Sequence, residues 1–238
     1  MKVIFRLVEA AVGGDMPGFP GFDTSQFPGA AEMAWLKANS NLAWCGYYLG
    51  PAPSHASTSW MGQRAALQAL GWGIAPVYVG QQISGPGRHS VSGAQGTIDG
   101  SDADRLLLAD GFNEGTAVYL DLEDGPPFEA PRTDYVAAWV AAVKNGGFQP
   151  GIYCSHGFAE DVHRVCPDAR IWAFKVATTA EHPFPGVNFP DLHPAGCGYP
   201  GASIWQLGQN CRLSLPPAPL SSPLVDLDSA LTPDPGAP

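Results

Sequence analysis

AVYLDLED, residues 117–124, is the stretch on which the reading of the fold turns. Side chains on a strand alternate faces with a period of two. Val118, Leu120 and Leu122 therefore share one face, and Tyr119, Asp121 and Glu123 the other. The apolar set suits the side of a sheet that helices cover. The second set suits the interior of a closed barrel and its mouth. Carboxylates at i and i+2 have Cα atoms ~6.6 Å apart at ~3.3 Å rise per residue. They point the same way, at the C-terminal end of a strand, where barrel enzymes keep their catalytic groups.

The flanking sequence repeats the strand-then-helix rhythm. Apolar strand-like runs lie near residues 18–23, 42–48, 73–79, 116–123, 148–153, 170–176, 202–207 and 223–227. Amphipathic segments are expected at 29–38, 60–70, 103–110, 132–145 and 156–165. Helix 132–145 places Tyr135, Val136, Trp139, Val140 and Val143 on one face. Alternating strands and helices argue for βα units and parallel pairing. The chain of 238 residues is close to the ~250 of a one-domain barrel. The expected fold is α/β, a single (β/α)8 TIM-type barrel of eight parallel strands over residues 1–230. The Pro-rich residues 231–238 are expected to form a disordered tail. Two irregular segments, 80–98 and 177–200, follow strand ends. Both are expected to border the mouth and set specificity.

Composition narrows the function. Acids outnumber bases 22 to 12, and the net charge is −10. Nucleic acid needs a basic stripe, and none is visible. An anionic membrane surface is disfavoured for the same reason. No run reaches the ~18–20 apolar residues of a membrane span. The N-terminal MKVIFRLVEAAVGG is interrupted by Arg6 and Glu9, so no signal peptide is read. A monomer is expected. The five cysteines include no CxxC pair, which argues against structural zinc. Cys45 and Cys154 read as buried thiols. Cys154 and Cys166 sit at opposite ends of a helical unit, ~15 Å apart at ~1.5 Å per residue, too far to bond. Cys197 and Cys211 are the one pair that could. GxSxG, GxGxxG and Walker patterns are absent, and no cofactor is implied. Of the histidines, His182 and His193 lie in the Pro-rich loop without a metal-ligand pattern.

The acids carry the chemistry. Buried neighbouring carboxylates are costly unless something uses them, and like charges push one pKa up. The result is one proton donor and one anion, as glycoside hydrolysis requires. Glu123 is the expected donor. Asp23 ends the first strand, and Asp226 and Asp228 share a face of the last. A lone Asp at a strand end can equally be a helix cap. Tyr47, Tyr48, Tyr78, Tyr119, Tyr153, Trp172 and Trp205 could offer platforms for sugar CH faces, although barrel aromatics are more often core. Lys175 stands in an otherwise apolar strand, and an inward Lys175 would counter the acids.

GFD at residue 21, YLDLE at 119, GIYCS at 151, IWAFKV at 171, IWQLGQN at 204 and VDLD at 225 form an ordered set. Together they resemble the glycoside-hydrolase-like domain once catalogued as domain of unknown function 1906, itself similar to the family 25 glycoside hydrolases that cleave peptidoglycan. The resemblance implies a barrel acting on an amino-sugar glycan, outside the cytoplasm or at the cell wall. It implies Glu123 as general acid/base, and Asp121 as the group that orients the N-acetyl group or stabilises the cation. It makes Asp23 a substrate-positioning catalytic residue. Asp226 would support the site. Read from the residues and not from the resemblance, Tyr78, Tyr119, Tyr153, Lys175, Trp205 and Gln206 are the expected substrate contacts beside it. Departures are the DTSQFPG that begins at Asp23 and the FKV of the sixth strand. Other readings of the same acids are a glycan-binding or regulatory barrel without catalysis, and a hydrolase using the acids as metal ligands.

Overall fold

The computed structural model describes residues 16–179, 183–184, 187–213 and 224–238. The N-terminal stretch read for a signal peptide and His182 lie outside the described residues. Six strands pair in chain order, all parallel: β1 (Phe19–Asp23), β2 (Trp44–Tyr48), β3 (Gly73–Val79), β4 (Ala117–Asp121), β5 (Gln149–Ser155) and β6 (Arg170–Thr179). The two-residue β7 (Pro183–Phe184) pairs with the last residues of β8 (Ala202–Leu213). β6 pairs in parallel with β8, and β9 (Leu224–Ala230) closes the ring between β8 and β1. The barrel is therefore an eight-stranded TIM-type ring, but β9 is antiparallel to both its neighbours, not parallel as expected. The reason is the connection. Only ten residues separate Leu213 from Leu224, whereas a parallel return needs a crossover of a dozen or more.

The helices are α1 (Ala30–Asn39), α2 (Arg64–Ala69), α3 (Gly93–Ala109), α4 (Arg132–Asn145) and α5 (Ala159–Val165). α3 starts ten residues before the expected segment 103–110. Its first turn, GAQG, reads as loop, yet Ser92 caps it by accepting from Gln95 N at 3.2 Å. The glycines serve close packing. A Cβ on Gly96 would collide with the Tyr135 carbonyl, and one on Gly100 would stand 2.7 Å from the Ala142 side chain of α4.

Segment 177–200 also departs from expectation. Val187 O accepts from Asn41 N at 3.2 Å, the Asn41 side chain bonds Phe189 N and O, and Asp191 O accepts from Gly18 N at 2.6 Å. Asn41 and Gly18 precede β2 and β1, so residues 187–191 lie at the N-terminal end of the barrel, opposite the mouth. Parallel β6 and β8 require a return to that end, and here irregular chain supplies it.

Two layers of core hold the ring. Outside it, Val118, Leu120 and Leu122 of the β4 region pack with Tyr135, Trp139 and Val143 of α4. Inside it, Trp44, Tyr119 and Tyr153 each meet Trp172 edge to face, at 5.5, 5.4 and 5.6 Å. Residues 231–238, expected to be a disordered tail, instead dock against the N-terminal end of the strands. Asp234 Oδ1 accepts from Ile74 N (2.8 Å), Pro235 O from Tyr119 Oη (3.2 Å) and Arg170 (3.0 Å), and Gly236 O from Ala117 N (2.9 Å). Donors at the strand starts, which would otherwise face outward from the sheet, are satisfied by the tail. All five cysteines are buried; Cys45, Cys154, Cys166 and Cys197 are free thiols, so the Cys197–Cys211 bond the sequence allowed is not formed. The Cys197 sulfur instead accepts from Tyr199 N at 3.3 Å.

Candidate carboxyl cleft at the barrel mouth

The C-terminal ends of the parallel strands surround a cleft lined by Asp23, Asp121, Glu123 and Asp226, with Tyr48, Tyr153, Trp172 and Gln209. Its enclosed part is about 50 Å³, too small to take in a sugar ring, so a glycan would lie across the mouth. A larger hollow of about 300 Å³ lies on the outer surface between α4 and α5, beside Val140, Lys144, Val165 and Cys166. None of the expected site residues lines it.

Each acid has a structural reason for its place. Asp23 ends β1 directly opposite Asp226 of β9. Because β9 runs downward, its first residues lie at the mouth, which puts Asp226 beside Asp23 and Asp228 one pleat deeper. Gly46 gives Asp23 its room: a Cβ there would stand 2.5 Å from that of Asp23. Tyr48 Oη donates to Asp23 Oδ1 at 2.6 Å. Asp226 accepts from the Gln206 side-chain amide and, at 2.7 Å, from Asn210 N. Asn210 has φ 53 at an irregularity in the β8–β9 register. A bulge of this kind re-aims backbone groups near sites, and Asn tolerates left-handed backbone better than most residues. Tyr153 Oη donates to Gln206 Oε1 at 2.5 Å, and Trp172 Nε1 to Asp228 Oδ1 at 3.0 Å.

Burial dominates the electrostatics. Asp121 is 6% exposed, and its Oδ1 has no hydrogen-bond partner among the described residues. Burial first, then the neighbouring Glu123, Asp23 and Asp226, hold its carboxyl well above the usual range. Asp23 is pushed up to about 7, by burial and then by Asp226, against the opposing pull of the Tyr48 hydrogen bond. Asp226 rises to about 6, again chiefly by burial. Asp228 lies well above its ordinary value through burial and the charge of Asp23, with which it shares a hydrogen bond. Glu123, two residues beyond Asp121, is exposed at the lip. Of the neighbouring carboxylates Asp121 and Glu123, expected to be buried together, only Asp121 is buried. No group of three or more His, Cys, Asp or Glu among the described residues is arranged to hold a metal ion.

Of the expected substrate contacts, Tyr153 and Asp226 line the cleft, and Gln206 braces both. The others lie elsewhere. Tyr78 faces outward, bonds Asp102 at 3.2 Å and packs on Trp139. Tyr119 faces inward but at the floor, bonded to Pro235 O. Trp205 belongs to the outer core and donates to Lys175 O at 3.0 Å. Lys175 itself is exposed near Gly198 and does not enter the cleft. Trp172 and Phe174 are the inward residues of β6, so Lys175 points out. Gln82, Gln209 and Asn210 went unread, because neutral amides in Gly/Ser-rich sequence give no charge or periodicity signal. The GQQ that closes β3 and the QLGQN of β8 are where such a signal would lie.

An eight-stranded barrel with carboxyls gathered at its mouth is the architecture of glycoside-hydrolase-like proteins. Residues 34–209 match the model of the Rv2525c-like, glycoside hydrolase-like domain, and the chain belongs to that family. The Tat-secreted protein Rv2525c of Mycobacterium tuberculosis, solved in complex with HEPES, is 15% identical with a TM-score of 0.59, over 92% of this chain and 98% of that one. The bacterial lysozyme of Streptomyces coelicolor is 12% identical with a TM-score of 0.56, over 92% and 94%. The modular autolysin LytC of Streptococcus pneumoniae, solved with a synthetic peptidoglycan ligand, is 11% identical with a TM-score of 0.58, over 92% of this chain and 47% of that one. No curated protein sequence matches the chain. No helix among the described residues is long and apolar enough to cross a membrane.

Proposed function

We propose that the chain hydrolyses a β-linked amino-sugar glycan of the peptidoglycan type, at or beyond the cell envelope. One observation carries the reading: four carboxyls converge on one cleft, and the adjacent pair Asp121 and Glu123 differs in environment, one buried and one facing water. Glycoside hydrolysis uses two carboxyls with different roles on either side of the scissile bond. Glu123 faces water at the lip and is the group that protonates the glycosidic oxygen. Asp121, whose burial favours the protonated form, meets the acetamido group. Asp23 and Asp226 position the sugar, and Tyr153 presents ring surface to it.

The test is incubation with peptidoglycan and with chitin oligomers, scored by new reducing ends. Glu123→Gln keeps the shape and removes the transferable proton, so turnover should fall roughly 100-fold or more. Asp121→Asn should also cripple turnover while glycan binding persists. Asp23→Asn should weaken binding more than the chemical step. Full turnover in Glu123→Gln eliminates the assignment. Binding without turnover on every glycan makes the chain a binding module, and loss of activity with chelator makes the acids metal ligands.

A further inference from the structure

β3 and β4 stay in register from Val77 opposite Tyr119 to Val79 opposite Asp121. There β3 leaves the sheet. Gly80 turns against Leu120 and the Tyr135 hydroxyl, so the β3 ladder does not continue to Leu122. The Gln82 side chain takes its place. Its Nε2 donates to Asp121 O at 3.0 Å, and its Oε1 accepts from Glu123 N at 3.4 Å. In parallel pairing a residue bonds the carbonyl before and the N–H after the residue opposite it. The Gln82 amide makes those two bonds around Leu122, as a strand residue would. On the other side Leu122 N donates to Tyr153 O at 3.0 Å, which continues the β5 ladder.

Gln82 is itself held. It is 3% exposed. Its N–H donates to Arg88 O at 3.0 Å, and His89 Nδ1 lies 2.8 Å from its carbonyl. The preceding Gln81 is tied to Asp99 at 3.1 Å and to Ser90 N at 3.0 Å. Loop 80–92 thus closes on itself around one inward-turned amide. From this arrangement we infer that Gln82 is a positioning residue: it extends the β4 ladder past its end and fixes the spacing and direction of the Asp121 and Glu123 carboxyls. The inference deepens the hydrolase reading and rests on it for the effect on turnover, but the geometry can be tested without turnover.

The test compares wild type, Gln82→Ala and Gln82→Glu, each checked for a cooperative thermal transition. Amide hydrogen exchange at Glu123 should quicken about tenfold in Gln82→Ala, the worth of one hydrogen bond. It should stay near wild type in Gln82→Glu, which keeps the accepting oxygen. Carboxyl NMR of Asp121 should show its titration in Gln82→Ala falling toward the ordinary carboxylate range, as the freed strand end turns to water. Turnover of Gln82→Ala should fall about ten- to a hundredfold, with KM little changed. A carboxylate at this position cannot donate to Asp121 O, whereas its protonated form can, so Gln82→Glu should regain activity only toward acid pH. Unchanged Glu123 exchange and an unchanged Asp121 titration in Gln82→Ala overturn the inference. So does altered exchange with wild-type turnover. If the wild type cleaves no glycan, the hydrolase reading fails alone, and exchange and titration still decide the role of Gln82.

Discussion

Two neighbours of Asp23 act on it in opposite senses. Gly46 yields the space it occupies, and Tyr48 supplies the larger of two hydrogen-bond effects that favour its charged form, the other coming from Asp228. Gly46→Ala places a methyl group 2.5 Å from the Asp23 Cβ. The contact is with a rigid strand atom and cannot be relieved by a rotamer change. The variant should lose about 1–3 kcal/mol of stability and bind glycan more weakly, by thermal unfolding and by titration with chitin oligomers. Wild-type values on both counts would show that β1 gives way instead. Tyr48→Phe removes the hydrogen bond and leaves the ring. The Asp23 carboxyl should then titrate above about 7, visible by carboxyl NMR, and a fall would contradict the assignment. The acids at this scale were legible in the sequence because charge on a strand's inner face is rare and parity is strict. Their amide partners were not. Tyr78 was misplaced because both faces of β3, GIAPVYV, are apolar and give parity nothing to separate. Tyr119 had the right parity, but alternation gives a face and not a depth.

Among the elements, β4 and α4 were the most readable, since a polar inner stripe and a 3.6-residue apolar rhythm are local signals. The direction of β9 was not, because PLVDLD has the same parity either way up. The clue lay in the ten residues before it. Parallel expectation would have put Asp226 two residues deeper than Asp228; the observed direction reverses their order, and Asp226 meets Asp23 at the mouth. The C-terminal segment was misread on composition. Its prolines leave carbonyls unpaired, and those of Pro235 and Gly236 serve the exposed starts of β4 and β6. Removal of residues 234–238 should therefore lower the thermal midpoint by several degrees, the effect of losing a few hydrogen bonds worth about 1 kcal/mol each. An unchanged midpoint would mean that water replaces the segment at no cost.

For the molecule as a whole, the buried acids set the response to pH. Asp23 and Asp104 are raised to about 7 and Asp226 to about 6, all chiefly by burial. A folded-state value above the unfolded one means that folding favours the protonated form. That contribution is fully present below the unfolded value near 3.8 and is lost as pH rises through about 6 to 7. The thermal midpoint should therefore decline between pH 5 and pH 8. Asp121→Asn should raise the midpoint at pH 8, trading function for stability. A midpoint that climbs over this interval would contradict the burial of these groups.

β1 and β9 are the first and last strands of the ring, and they are also neighbours, with Asp23 and Asp226 facing each other across the seam. During synthesis the cleft accordingly cannot be complete before the strand that closes the ring. A ribosome-bound chain that has not passed residue 224 has neither Asp226 nor the strand that closes the ring. Asp121 and Glu123 can be translated and folded against their neighbours well before then, yet the mouth that groups all four acids waits for β9. A product cut short before Asp226 would consequently lack the assembled cleft.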